Sequence, residues 1–106
     1  MTNFVPGRRT YMYLVNNHIK IQSEEHLKHL KEGFSRAPES MKQVPGFVSF
    51  RLLLSEDESH VVAETVFASK EDFINWIQSE HFERAHGGRK GDVERQELSA
   101  YHIIVK

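Results

Sequence analysis

Apolar and polar positions divide the chain into clear segments from residue 11 onwards. Tyr11 to Ile21 is rich in aromatic and β-branched residues, and its second half alternates. Asn17, Ile19 and Ile21 fall on one side, His18 and Lys20 on the other, which is the period of a strand. Asn17 therefore shares a face with apolar neighbours. Ser23 is placed to cap a helix with Glu24 and Glu25 in its first turn, and Leu27, Leu30 and Phe34 form one apolar stripe through about Arg36. Pro38 and Pro45-Gly46 punctuate its exit. Phe47–Leu54 and His60–Phe67 read as two strands joined by the polar turn Ser55–Ser59, a hairpin. Ser69 then opens a second helix in a capping-box-like run, with Asp72 where Glu or Gln is more usual; Phe73, Trp76 and Ile77 are its buried stripe. Glycine-rich, charged sequence from Gly87 to about Glu94 reads as a mobile loop, and Leu98–Val105 as the last strand.

The element order is thus β-α-β-β-α-β. This predicts an α+β domain of the ferredoxin-like (split βαβ) type with an antiparallel sheet, spanning residues 11–106 behind an N-terminal arm of residues 1–10. With both helices on one side, the other sheet face is left bare and carries apolar residues from several strands. A homodimer is expected, two copies closing a dimeric α+β barrel.

Composition narrows the chemistry. At 106 residues the chain holds one core, and a net charge of -1 with mixed signs gives no basic surface for nucleic acid. No apolar run approaches the length of a membrane span, and residues 1–10 lack the apolar segment of a secretory signal, so a cytoplasmic protein with no membrane partner is expected. Cysteine is absent, which removes disulfides, thiolate catalysis, iron–sulfur clusters and cysteine-bound zinc together. Any cofactor is left to histidine, carboxylate, backbone or apolar contact. Serine-nucleophile motifs, Walker-type loops and paired-carboxylate patterns are missing as well.

Seven histidines remain to be weighed. His26 and His29 are three apart on the first helix and could share a metal, but a solvated Glu/Lys/His face accounts for them more simply. His60 and His102 fall on strands as partly exposed residues. The segment from Asn75 to Gly88 is the most informative, because it holds the only tryptophan, Trp76, and ends in His86 before Gly87-Gly88. A helix can stop at that glycine pair and leave His86 facing a pocket. His81, within the same segment, is its main competitor. Taken singly, His86 could be a histidine favoured by a helix end, Trp76 a core residue, and Asn17 a satisfied strand polar group.

Taken together these residues resemble the IsdG-like haem-degrading monooxygenases of the antibiotic biosynthesis monooxygenase (ABM) superfamily. That family's pattern is Asn-x-φ-x-φ on the first strand, φ being apolar, followed far downstream by Trp-φ-x-Ser-x-x-Phe-x-x-Ala-His. Here the first reads Asn17-His18-Ile19-Lys20-Ile21. The second reads Trp76-Ile77-Gln78-Ser79-Glu80-His81-Phe82-Glu83-Arg84-Ala85-His86. Pro45-Gly46-Phe47 and Ser69-Lys70-Glu71-Asp72-Phe73 also look like the family, and the resemblance covers roughly residues 11–105.

The resemblance implies that His86 is the axial ligand of the haem iron, a neutral imidazole. It implies that Trp76 presses the porphyrin out of plane, and that the Asn17 amide hydrogen-bonds the oxygen that reacts there. Phe67 stands where many relatives carry a further tryptophan, so an aromatic still lines the pocket. Asn16 is adjacent to Asn17, and the alternation selects Asn17. Arg89 and Lys90 read as solvated loop charge, with the haem propionates as a further possible contact. The implied activity is O2-dependent cleavage of the porphyrin, releasing iron and an open-chain tetrapyrrole. Haem would be both substrate and oxygen-activating centre. Because the chain has no flavin or nicotinamide motif, electrons would come from an external reductase. Two other readings stay open: a cofactor-free ABM-type monooxygenase acting on a quinol or aromatic substrate, and a non-catalytic dimeric haem-binding module.

Overall fold

The computed structural model describes residues 11–79 and 97–106. Four strands, β1 (Met12–Lys20), β2 (Phe47–Leu54), β3 (His60–Phe67) and β4 (Glu97–Ile103), form one sheet in the order β2-β3-β1-β4, every neighbouring pair antiparallel. The helices are α1 (Glu24–Phe34), α2 (Ala37–Met41) and α3 (Lys70–Ile77). This is the expected ferredoxin-like α+β plan with one addition, the short α2, in a stretch read from sequence only as a proline-marked exit. Pro38 lies in the first turn of α2, where its missing N–H removes no helical bond, and Met41 anchors the turn by burial.

Register decides what each sheet face carries. β1 pairs Tyr13 with Phe67, Val15 with Thr65, Asn17 with Ala63 and Ile19 with Val61. On its other edge Tyr13 pairs with His102, Val15 with Ala100 and Asn17 with Leu98. Directly paired residues project to one side, so all of these share a face. The helices cover that face. Tyr13, Val15 and Phe67 join Met41 and Val44 in the core, and Phe47, Phe73 and Trp76 pack against them. The Phe34 ring of α1 stacks on Phe50 of β2 at 5.6 Å.

Phe47 and Phe50 are three residues apart, and strict alternation would send them to opposite faces. A bulge between Phe47 and Ser49 inserts the extra residue that turns both rings toward the helices.

The opposite face carries Leu14, Asn16, His18, Val62, Glu64, Val66, Leu53 and Tyr101 by the same parity. Leu53 and Tyr101 are exposed there. Glu64 binds Arg51 through two bonds, from Nε at 2.8 Å and from Nη2 at 3.0 Å, which raises the Arg51 pKa. This face is mixed, with Val66 buried and Asn16, His18 and Glu64 polar beside the exposed Leu53 and Tyr101. Among the described residues no helix is long and apolar enough to cross a membrane.

Local signals fix the ends of the elements. The His26 amide donates to Ser23 Oγ at 3.0 Å, while His26 Nδ1 accepts from the Gln22 amide at 3.0 Å, so a histidine does the reciprocal work usually given to Glu in a capping box. His29 contacts Glu25 at 3.6 Å. Among the described residues no group of three or more metal-ligating side chains forms, in keeping with the solvated reading of this pair.

At α3 the Asp72 amide donates to Ser69 Oγ at 3.2 Å, and the Ser69 hydroxyl donates to Asp72 Oδ2 at 2.9 Å. Gly46 holds this start against the sheet. Its φ is +83°, its carbonyl accepts from the Ala68 amide at 2.7 Å, and a Cβ placed there would collide with the Asp72 carboxylate.

Gly46→Ala is therefore expected to cost roughly 2 kcal/mol of stability, combining backbone strain with a disturbed cap. Urea unfolding checks this, and a loss within error of zero would contradict it. In the β2–β3 turn, hydrogen bonds from the Ser59 hydroxyl and amide, then from Ser55, depress the Asp57 pKa, with a smaller contribution from His60. A depressed carboxylate pKa contributes stability above its unfolded value and loses it as pH falls through the folded value, so this contribution fades below about pH 4. Stability measured against pH should accordingly show a shallower acid limb in Asp57→Asn than in the unchanged protein.

Candidate functional site

Trp76 stands in the last turn of α3, on the side turned to the sheet. Its indole is half-buried and its Nε1 is shielded from solvent. It packs on Phe67 at 5.6 Å and near Phe73 at 6.3 Å, and Phe67 and Phe73 meet edge-on at 5.6 Å. Such tilted pairs are favourable for ring quadrupoles and hold each ring in place. Phe67 has 0% exposure. It is the support on which Trp76 rests.

The Trp76 carbonyl accepts from the Ser79 amide at 3.0 Å and from the Ser79 hydroxyl at 2.6 Å, a local competition that ends the turn. α3 thus ends at Ile77. His86 and its competitor His81 lie outside the described residues, as do Arg89, Lys90 and the whole stretch from Gly87 to Glu94.

Asn17 and Asn16 are separated by the sheet. Asn17 is on the helix-facing side, with Tyr13 and Val15 earlier on the same strand face. Asn16 points the other way, where its Oδ1 is shielded from solvent without a hydrogen-bond donor. The strand alternation selected the asparagine that shares a side with Trp76. Asn17 and the rings of Phe73 and Trp76 are therefore brought to one side of the sheet.

This arrangement suits a flat apolar ligand. It offers an indole braced from behind and an amide on the facing strand, and no carboxylate is wholly buried among the described residues.

Sequence reading missed one member of this side. His102 was read as a partly exposed strand residue, which it is, yet its pairing with Tyr13 places it on the helix-facing side. Its parity with Leu98 and Ala100 was visible in the sequence. Which parity faces the helices depends on pairing with β1, which was not.

Comparison with known proteins gives the family and the fold. Residues 12–88 match the family described as antibiotic biosynthesis monooxygenase. The chain is 32% identical over 95 residues to the haem-degrading monooxygenase of Listeria welshimeri, covering 81% of this chain and 78% of that protein. Among solved structures it superposes on the haem degrader MhuD of Mycobacterium tuberculosis, which has two haems bound in its active site. The TM-score is 0.67 at 20% identity, over 90% of this chain and 97% of the other. It superposes equally on SnoaB, a cofactor-independent oxygenase from Streptomyces nogalater, with a TM-score of 0.69 at 16% identity, over 90% and 95%. These two likenesses establish the common fold. Together with the family match and the Listeria relative, they place this chain in the antibiotic biosynthesis monooxygenase family, as an oxidoreductase-type α+β domain.

Proposed function

We propose that this protein is a haem-degrading monooxygenase. The observation that carries the reading is the shared side of Asn17 and Trp76, continued in sequence by the ten-residue step from Trp76 to His86. The Listeria relative supports it, since that protein is named for this activity. Haem, when bound, supplies both the iron centre that activates O2 and the ring that is oxidised.

The chain's own residues have three tasks. His86 would hold the haem iron through a neutral imidazole nitrogen. Trp76, braced by Phe67 and Phe73, presents a rigid indole that would pack against the macrocycle and exclude water from it. Asn17 would offer an amide N–H as the one polar hand on this side of the ring, able to donate to the oxygen that reacts there. A wall of this kind is worth more in catalysis when it cannot yield, which is the service of a Phe67 with no exposed surface.

Electrons come from an external reductase on this reading, and the products are iron and an open-chain tetrapyrrole. Two copies associate through the bare sheet face, where Leu53 and Tyr101 are exposed.

Titration with hemin is expected to give a Soret band that decays when ascorbate is added under air. His86→Ala is expected to abolish that band, whereas His81→Ala keeps it; full binding by His86→Ala would remove the basis of the assignment. Asn17→Ala is expected to bind hemin normally while degrading it roughly 100-fold more slowly, the usual scale for loss of one preorganised donor.

The fold likeness to SnoaB favours a second reading, cofactor-independent oxidation of a quinol or aromatic substrate. Oxygen uptake with such a substrate in metal-free and haem-free solution, with no Soret band on adding hemin, would decide for it. A Soret band that survives reductant would instead indicate a haem-binding module.

A further inference from the structure

Most of the described histidines are accounted for. His26 completes the α1 cap and His29 meets Glu25. His18 and His60 lie 5.6 Å apart on the bare face, with His60 Nδ1 3.0 Å from Ser59 Oγ. His102 differs from all of these. Among the described residues it is the one histidine on the helix-facing side of the sheet.

The His102 imidazole is exposed and held by ring contacts alone, 5.3 Å from Tyr13 and 6.0 Å from Tyr11, tilted by 58° and 55°. No described residue makes a hydrogen bond or ion pair with it. Its two nitrogens are thus available to a ligand, while its neighbours fix the plane of the ring. Tyr13 lies 5.6 Å from Phe73, which lies 6.3 Å from Trp76, so His102 is the polar end of a row of rings whose other end is Trp76. β4 is an edge strand, which leaves this end open to approach. Along β4, His102 stands four residues from Leu98, the partner of Asn17, or about 13 Å at strand rise. A porphyrin with two side-chain carboxylates at one rim reaches across such a distance, and a small quinol does not.

We propose that His102 is a specificity residue of the cleft, donating an imidazole N–H to a carboxylate on the rim of the flat ligand. Resting on the haem reading above, that carboxylate is a porphyrin propionate. A donor of this kind is favourable here because the bond is charge-assisted. It also gives the cleft a polarity, carboxylate edge toward β4, that a wall of apolar rings cannot supply.

The test compares hemin with hemin dimethyl ester, whose carboxylates are blocked, by equilibrium absorbance titration. His102→Phe keeps the ring contacts and removes the donors. It is expected to bind hemin about tenfold more weakly than the unchanged protein and to bind the ester with unchanged affinity. His102→Gln, which retains a donor, is expected to recover most of the loss. Equal hemin affinity in His102→Phe, or an equal loss for both ligands, overturns the proposal. Should His102→Phe fail to fold, the unchanged protein still decides: the ester should bind about tenfold more weakly than hemin, and equal affinity overturns the proposal. If the unchanged protein binds neither ligand, the haem reading itself falls and this proposal with it, an outcome distinct from failure of His102 alone.

Discussion

The hydrogen-bonded register of β1 between β3 and β4 is the constraint on which the site depends. Because strand side chains alternate, one register sends Tyr13, Val15 and Asn17 under the helices and Leu14, Asn16 and His18 to the bare face. A slip of one residue would exchange the two sets. It would drive Asn16 and His18 into an apolar layer and turn Tyr13 and Val15 out of the core. The burial of Tyr13, Val15, Val61 and Phe67 therefore protects the placement of Asn17, although none of them is polar or reactive. Here the packing energy of the core and the geometry of the candidate site are one quantity.

A second layer of support sets Trp76. The indole stands at the end of a short helix, a poor place for rigidity unless the helix is fixed at its other end. Ser69 and Asp72 provide that fixed end through reciprocal bonds, and the tight turn at Gly46 brings the strand against them. Phe67 and Phe73 then brace the ring itself. The route from Gly46 through the cap to Trp76 explains why residues distant in sequence from the candidate chemistry matter to its precision.

Fold alone does not choose between haem cleavage and cofactor-independent oxidation, since the haem degrader MhuD and the cofactor-independent oxygenase SnoaB share this architecture. The choice lies in side chains on one scaffold. On the proposed reading, His86, Trp76 and Asn17 would make that choice, and other groups at those positions would leave the same sheet and helices serving another reaction.

The sequence by itself determined the strands, the two main helices and the hairpin, because those elements follow from local periodicity and capping: Ser23, Ser69 and the Ser55–Ser59 turn behave as their residue types require. It also selected Asn17 over Asn16, since alternation is a local property. What tertiary structure decided is of another kind. The sheet order and register placed His102 on the side of Trp76, and packing set Phe67 against the indole in the core. The bulge between Phe47 and Ser49 rescued two rings from opposite faces, and the Ser79 bonds closed α3 at Ile77. These depend on contacts between residues far apart in the chain, or on competition between nearby bonds of similar strength, and no local pattern carries that information.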